Sequence, residues 1–139
     1  MSQIFLVGDE DVWNPSNGVG LLFLRSADAL APIAGLPTGI SPTEPDEWAI
    51  DMPVFAAFVD AIVDRYQRST HLVLRSLMEG FIATALVLVE RGGAQVPSLG
   101  ANPGHDTADL SATSRGLGAR ATAGRLATLR DAHARAMPT

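Results

Sequence analysis

Two short stretches of the sequence place several carboxylates directly before a tryptophan. The first contains Asp9, Glu10, Asp11 and Trp13, and the second contains Glu44, Asp46, Glu47 and Trp48. Closely spaced carboxylates could bind a divalent cation, perform acid–base catalysis or contact a basic partner. A tryptophan beside them adds a large apolar body with a polar N–H, a combination that is enriched at protein interfaces. These eight residues are therefore the first candidates for a functional site.

The spacing argues against a metal site. In a calcium loop of the EF-hand type that starts at Asp9, Trp13 would occupy a ligand position and Gly20 would replace the final Glu. Two interpretations of these acids remain. They are solvated turn residues, or Asp9 and Asp11 form a less regular Ca²⁺ or Mg²⁺ site together with carbonyl oxygens. No cysteine is present, and the three histidines are far apart in sequence: His71, His105 and His133. We therefore predict no metal and no cofactor.

The sequence also offers no recognisable catalytic residues. A carboxylate pair for acid–base work needs one acid to be desolvated, whereas both acidic stretches read as exposed loops. Gly18 and Gly20 begin like a phosphate-binding loop, but Phe23 stands where the third glycine belongs. No G-x-S-x-G motif occurs. These absences favour a protein that is not an enzyme without deciding the question.

The charge is acidic and unevenly distributed. Residues 1–94 hold 12 acidic residues and 5 arginines, net −7, whereas residues 95–139 hold 3 acidic residues and 5 arginines, net +2. An acidic body repels phosphate backbones and attracts basic proteins, so we predict a basic protein partner and no nucleic acid. All ten basic residues are arginines, which is typical of a GC-rich genome.

The composition further indicates a protein of the cytoplasm. The absence of cysteine fits a reducing compartment. The N-terminus lacks the basic start and apolar run of a secretory signal. The longest uncharged apolar stretch, Gly80–Val89, has ten residues, about half of what a membrane span requires. We therefore expect no membrane association.

Hydrophobic periodicity predicts a small α+β domain. One or two short strands near the N-terminus are predicted at Gln3–Val7 and Val12–Trp13, with another short strand at Glu47–Ile50. Three helices are predicted at about residues 17–31, 52–67 and 71–91, with Pro32 ending the first and Asp51 capping the second. Periodicity alone leaves open whether the run Ala85–Val89 is helix or strand.

Composition divides the chain into three parts. Residues 1–95 form the globular domain, residues 96–115 are rich in Pro, Gly, Ser and Thr and read as a flexible linker, and residues 116–139 are rich in Ala and Arg. The last part is predicted to be a flexible, partly helical tail. Its arginines recur every five residues, which turns a helix by about 140° per step, so they form no single basic face.

Three functional hypotheses remain open. The leading one is a non-enzymatic binding or regulatory protein that contacts a partner through its acidic, tryptophan-containing surface, for example an immunity-type inhibitor of a basic toxin. It competes with a structural interpretation in which Trp13 and Trp48 are core residues. The alternative is a small-ligand pocket or active site between the helices and the N-terminal strands, whose candidate residues are Tyr66, His71, Arg75 and Glu79. The third is homodimerisation through the apolar helices.

Several segments also resemble a known group of proteins. The stretches SQIFLVGDEDVWNPSNG, GLPTG and HLVLRSLMEGFIATALVLVERGG, with the closing ARAMPT, resemble short actinobacterial proteins of unknown function, including those of streptomycetes. The similarity covers most of residues 1–95 and the last few residues. It implies a bacterial cytoplasmic origin and transfers no activity to any residue.

Overall fold

The computed structural model describes residues 1–101 and 119–139, and for residues 119–123 it describes the backbone alone. The strands are Ile4–Val7 (β1), Glu10–Trp13 (β2), Ile40–Pro42 (β3) and Glu47–Ile50 (β4). The helices are Asn17–Ala34 (α1), Met52–Arg68 (α2), Leu72–Arg91 (α3) and Ala119–Ala136 (α4), with a short 3-10 turn at Pro97–Gly100. The predicted α+β class is confirmed.

The four strands form one mixed sheet in the order β2-β1-β4-β3. The central strand β1 is antiparallel to β2 and parallel to β4, and α1 lies in the connection that the parallel pair requires. The register between β1 and β2 shifts between Phe5 and Leu6, so Val12 is an extra residue in the ladder. Strand β3 was not predicted, because the Pro- and Gly-rich segment around it reads as a loop.

The three predicted helices are confirmed, with small corrections at their ends. Helix α1 continues past Pro32 to Ala34, because Gly35 provides the left-handed C-cap (φ 67°) and donates its N–H to the carbonyl of Ala31. Asp51 caps α2 as predicted by accepting the N–H of Val54. Helix α3 is capped by His71.

Helix α3 is the central element of the core. Its second half is buried almost all round, and the run that could have been a strand is helical. By length and composition, α3 is also the one helix of the described residues that could cross a membrane, but 56% of its most apolar window is buried inside the fold. A central core helix has the same properties, so this burial agrees with the prediction that the run is an internal element.

The prediction of a flexible C-terminal tail is wrong for the part of the tail that the structure describes. Helix α4 packs along α3 and runs parallel to it, with Leu126 fully buried and Met137 8% exposed. Arg91 holds the end of the chain by donating to the carbonyl oxygens of Val12 (2.8 Å) and Met137 (2.8 Å). Most of the predicted linker, from residue 102 to residue 115, lies outside the described residues.

Candidate functional site

The first tryptophan of the acidic stretches belongs to the core. Trp13 is 3% exposed and is paired in register with Phe5 of the central strand. Its ring stacks on Phe5 at 5.2 Å between centroids and meets Phe23 edge-on at 5.3 Å. Aromatic pairs in these geometries stabilise a core beyond the area that they bury. Trp13 is therefore a core residue, and only a small part of its ring can be reached from outside.

The second tryptophan is half-buried on the same face of the sheet and is anchored by Gln3. The Trp48 indole N–H donates to the Gln3 side-chain oxygen at 2.7 Å. The Gln3 amide in turn donates to Asn17 (2.8 Å) and to the Asp46 carboxylate (2.9 Å). Gln3 is only 3% exposed, and this network satisfies its amide completely. The anchoring role of Gln3 was not predicted from the sequence. A single amide side chain directly before an apolar strand could have indicated it.

The opposite, outer face of the sheet carries a half-buried apolar strip. Register places Leu6 beside Asp11 on one side and beside Ala49 on the other, and Ile4 beside Glu47. Paired residues point to the same face of a sheet. Ile4, Leu6 and Ala49 are only half-buried, and within the described part of the chain they stay outside the cluster that packs against the core.

The acidic residues lie at the two ends of this strip. Asp9, in the turn that follows β1, and Glu10 and Asp11, at the start of β2, are exposed. The loop of Glu44 to Glu47 lies beside the start of β1. Four strand residues separate the two ends, about 13 Å. Residues 1–16 and 39–51 contain seven acidic residues and no arginine or lysine. Among the residues that the structure describes, none of these acids forms a salt bridge.

The structure thus separates the eight candidate residues into two groups. Both tryptophans lie on the inner face of the sheet. Asp11 and Glu47 are paired in register with the outer strip. Glu10 is paired with Val7, which packs against the core, and the Asp46 carboxylate is bonded to Gln3. In each acidic stretch the tryptophan therefore packs on the inner face of the sheet, whereas the acids lie at the surface. Only the acids are available to contact a partner.

Of the four alternative pocket residues, Tyr66, Arg75 and Glu79 are brought together in one contact network. The Tyr66 hydroxyl donates to the Glu79 carboxylate at 2.6 Å, and the Arg75 guanidinium lies over the Tyr66 ring at 4.8 Å. Glu79 also accepts two hydrogen bonds from Arg125 of α4, at 2.7 and 2.9 Å. His71 stays exposed at the start of α3. These contacts join α2, α3 and α4.

The electrostatics of this cluster are those of a structural network. Hydrogen bonds from Arg125 hold the pKa of Glu79 below its usual range, so the carboxylate is ionised at neutral pH. Burial, together with the hydrogen bond to Glu79, raises the pKa of Tyr66. Burial lowers the pKa of Arg75. A tyrosine with a raised pKa and a carboxylate with a lowered one are both poor proton carriers near neutral pH.

A cavity of about 300 Å³ lies elsewhere, between the end of α3, the 3-10 turn and α4. Its wall is mainly apolar and includes Leu86, Val89, Val96 and Leu99. Arg130 and Glu90 approach each other at its edge, 3.5 Å apart. This volume is at the lower limit of small-molecule sites. Within residues 1–101 and 119–139, no group of three or more His, Asp or Glu side chains could hold a metal ion.

The fold and this surface define a small α+β domain with a mixed four-stranded sheet and helices against one face. The chain belongs to DUF6086, a family of unknown function whose model matches residues 1–139. The family extends over both the sheet and α4, so the docked C-terminal helix is part of the family's domain. No curated protein and no solved structure matches the chain.

Proposed function

We propose that this protein is a non-enzymatic binding protein that engages a basic protein partner through the outer face of its sheet. The observation that supports this most directly is the half-exposed apolar strip of Ile4, Leu6 and Ala49 between two groups of acids, in strands that contain no arginine or lysine. An immunity-type inhibitor of a basic toxin is one concrete version of this function.

The two components of this face have different physical roles. The carboxylates attract a basic protein over long distance and raise the association rate, an effect that salt screens. The apolar strip excludes water at the centre and supplies the affinity that exposed charges alone do not give. A matching partner therefore carries an apolar patch flanked on both sides by lysine or arginine, about 13 Å apart.

Capture of partners on the immobilised protein, followed by reconstitution, tests the proposal. Proteins retained from a lysate of the source cells are identified, purified and titrated by calorimetry at two salt concentrations. Neutralising the turn with Asp9→Asn and Asp11→Asn should weaken binding about tenfold, equivalent to roughly 1.4 kcal/mol. Leu6→Thr, which keeps β-propensity but removes apolar surface, should weaken binding comparably.

The matched control neutralises exposed acids away from the sheet. Glu90→Gln and Asp131→Asn remove the same number of charges from the α3–α4 side of the molecule. If these variants weaken binding as much as the turn variant, net charge explains the attraction and the sheet face has no special role. Binding that is unchanged in the Leu6→Thr variant would likewise contradict the proposal.

A second candidate function follows from the 300 Å³ cavity beside α4. A small apolar molecule would fit the apolar wall, and an anionic group on it would bind Arg130 in competition with Glu90 and Asp131. The test is a thermal-shift screen of short aliphatic carboxylates on the wild type and on Arg130→Gln. A shift that is present in the wild type and absent in Arg130→Gln would support this candidate.

The biological setting belongs to the same proposal. The lysine-free composition supports an origin in a GC-rich bacterium such as an actinobacterium. The absence of cysteine supports a reducing, cytoplasmic location. Both features suit a protein that meets its partner inside a bacterial cell.

A further inference from the structure

Helix α1 carries a second exposed apolar surface, which is separate from the outer face of the sheet. Five of its residues are separated alternately by three and four positions: Val19, Leu22, Ser26, Ala29 and Ile33. This is the spacing of the seam between two paired helices. Leu22 is 67% exposed, Val19 53% and Ile33 43%, so the seam faces solvent and not the core.

A depression of about 150 Å³ lies beside this seam, between α1 and α3. Residues of α1 line one side and Gly80 and Thr84 of α3 line the other, and three buried aromatic rings complete the wall: Trp13, Phe23 and Phe81. An apolar cavity of about 150 Å³ is large enough for a benzene ring, and hence for one aliphatic or aromatic side chain. Leu77, which is 76% exposed, precedes Gly80 on α3.

Gly80 itself is not required by the fold of the single chain. It lies inside α3, where glycine is a poorer helix former than alanine. A Cβ atom built on Gly80 would meet nothing within 4 Å. Close approach of another chain at this position would explain why a side chain is absent here.

We propose that the occupant of this face is a second copy of the chain, with the two α1 helices packed antiparallel about a two-fold axis near Ser26. With the axis near Ser26, the depression beside Val19 faces the projecting Ile33 of the second copy. Every protomer carries both this side chain and the depression, as a two-fold interface requires. The seam is uncharged, so two copies of a protein with net charge −5 can meet there with the least repulsion. The small Ser26 and Ala29 permit the helices to approach closely.

The remaining charges of α1 are complementary across such an axis. Arg25 and Asp28 are the charged residues of the helix, both are exposed, and neither forms a salt bridge with the residues that the structure describes. In the antiparallel arrangement Arg25 lies within reach of the partner's Asp28. A helix of 18 residues is about 27 Å long, so with the first half of α3 the face buries on the order of 500 Å² per copy. The total of about 1,000 Å² is at the lower limit for a specific interface, and we therefore expect a concentration-dependent dimer.

Sedimentation of the purified protein over micromolar to millimolar concentrations measures this equilibrium. The wild type should pass from monomer to dimer. Gly80→Leu fills the depression and should weaken the dimer at least tenfold, while its thermal stability at low concentration stays equal to or above that of the wild type. Gly80→Ala serves as the control for helix propensity, since it raises helix stability while leaving most of the depression open.

A cysteine scan provides a second, independent measurement because the chain contains no cysteine. Ser26→Cys lies near the proposed axis and should form an intermolecular disulfide rapidly on mild oxidation. Leu21→Cys lies five residues from the axis, which places the two copies of this cysteine about 15 Å apart along the helices, so it should crosslink slowly. A wild type that stays monomeric at all concentrations, a dimer that Gly80→Leu leaves unchanged, or equal crosslinking of both cysteine variants would overturn the proposal.

Discussion

Replacement of Arg75 should produce the largest loss of stability among the charged residues of the protein. Arg75 is 3% exposed, and its guanidinium donates to the backbone carbonyls of Tyr66 (3.1 Å), Gln67 (3.3 Å) and Ser69 (2.6 Å). These carbonyls lie at the C-terminal end of α2, where a helix has no intrahelical donors left. Arg75 thus caps α2 from α3 and joins the two helices.

Arg75→Met keeps most of the side-chain volume but leaves these buried carbonyls without their charged donor. Each unpaired buried acceptor costs about 1–3 kcal/mol, and we expect a total of about 3–5 kcal/mol. With a urea dependence of about 2 kcal/mol per molar, the unfolding midpoint should fall by about 2 M. Equilibrium urea denaturation followed by circular dichroism measures this shift.

The control is Arg68→Met. Arg68 forms an exposed salt bridge with Asp64 within the same helix, and such pairs contribute less than about 1 kcal/mol. A fall of less than about 1 kcal/mol for Arg75→Met would refute the capping role, because the carbonyls would then be satisfied by water. A large and equal fall for both variants would show that charge in general, and not this contact, determines stability.

Three further substitutions test the packing of the fold. Gly20→Ala places a Cβ 2.8 Å from buried side-chain atoms and should cost about 1–3 kcal/mol in thermal unfolding, whereas Gly18→Ala meets open space and should be neutral or stabilising. Arg125→Met removes the bond that lowers the pKa of Glu79, so it should cost up to about 1 kcal/mol at neutral pH. This difference should shrink as the pH falls below the ordinary pKa of a glutamate and vanish once the carboxyl is protonated in the folded protein. Leu126→Ala should cost about 2–5 kcal/mol and speed amide exchange throughout α4, which a loosely attached tail would not show.

The helical part of this fold could be predicted because its signals are local. The apolar stripe of α2 and the cap at Asp51 lie within a few turns of each other in the sequence. Strand β3 could not be predicted in the same way, because Pro42 fits an edge strand as well as a loop. Its assignment depends on pairing with β4, which no local pattern reveals.

The packing of α4 against α3 could not be predicted, because it depends on contacts between residues that are distant in sequence. Arg125 and Glu79 are 46 residues apart, as are Arg91 and the Met137 carbonyl that it holds. A helix with few apolar residues is indistinguishable by composition from a mobile tail. Its one fully buried leucine, Leu126, becomes informative only when α3 is placed beside it.

Only part of the candidate site could be predicted, because sequence patterns report local structure and not contacts between distant residues. Exposure of the acids follows from their position in turns, and the structure places Asp9, Glu10 and Asp11 in solvent. The inward orientation of Trp13 depends on the strand register and on the extra residue at Val12. The outer apolar strip appears only when β1 and β4 are paired in parallel.

Hydrogen exchange of the reconstituted partner complex tests the central claim most directly. If a basic protein binds the outer face of the sheet, backbone amides of residues 4–11 and 40–50 should become protected on binding, and the protection should weaken with the Asp9→Asn and Asp11→Asn variant. Protection confined to α1 and α3, or to the cavity beside α4, would contradict the claim. It would show that the partner binds one of those surfaces instead of the sheet.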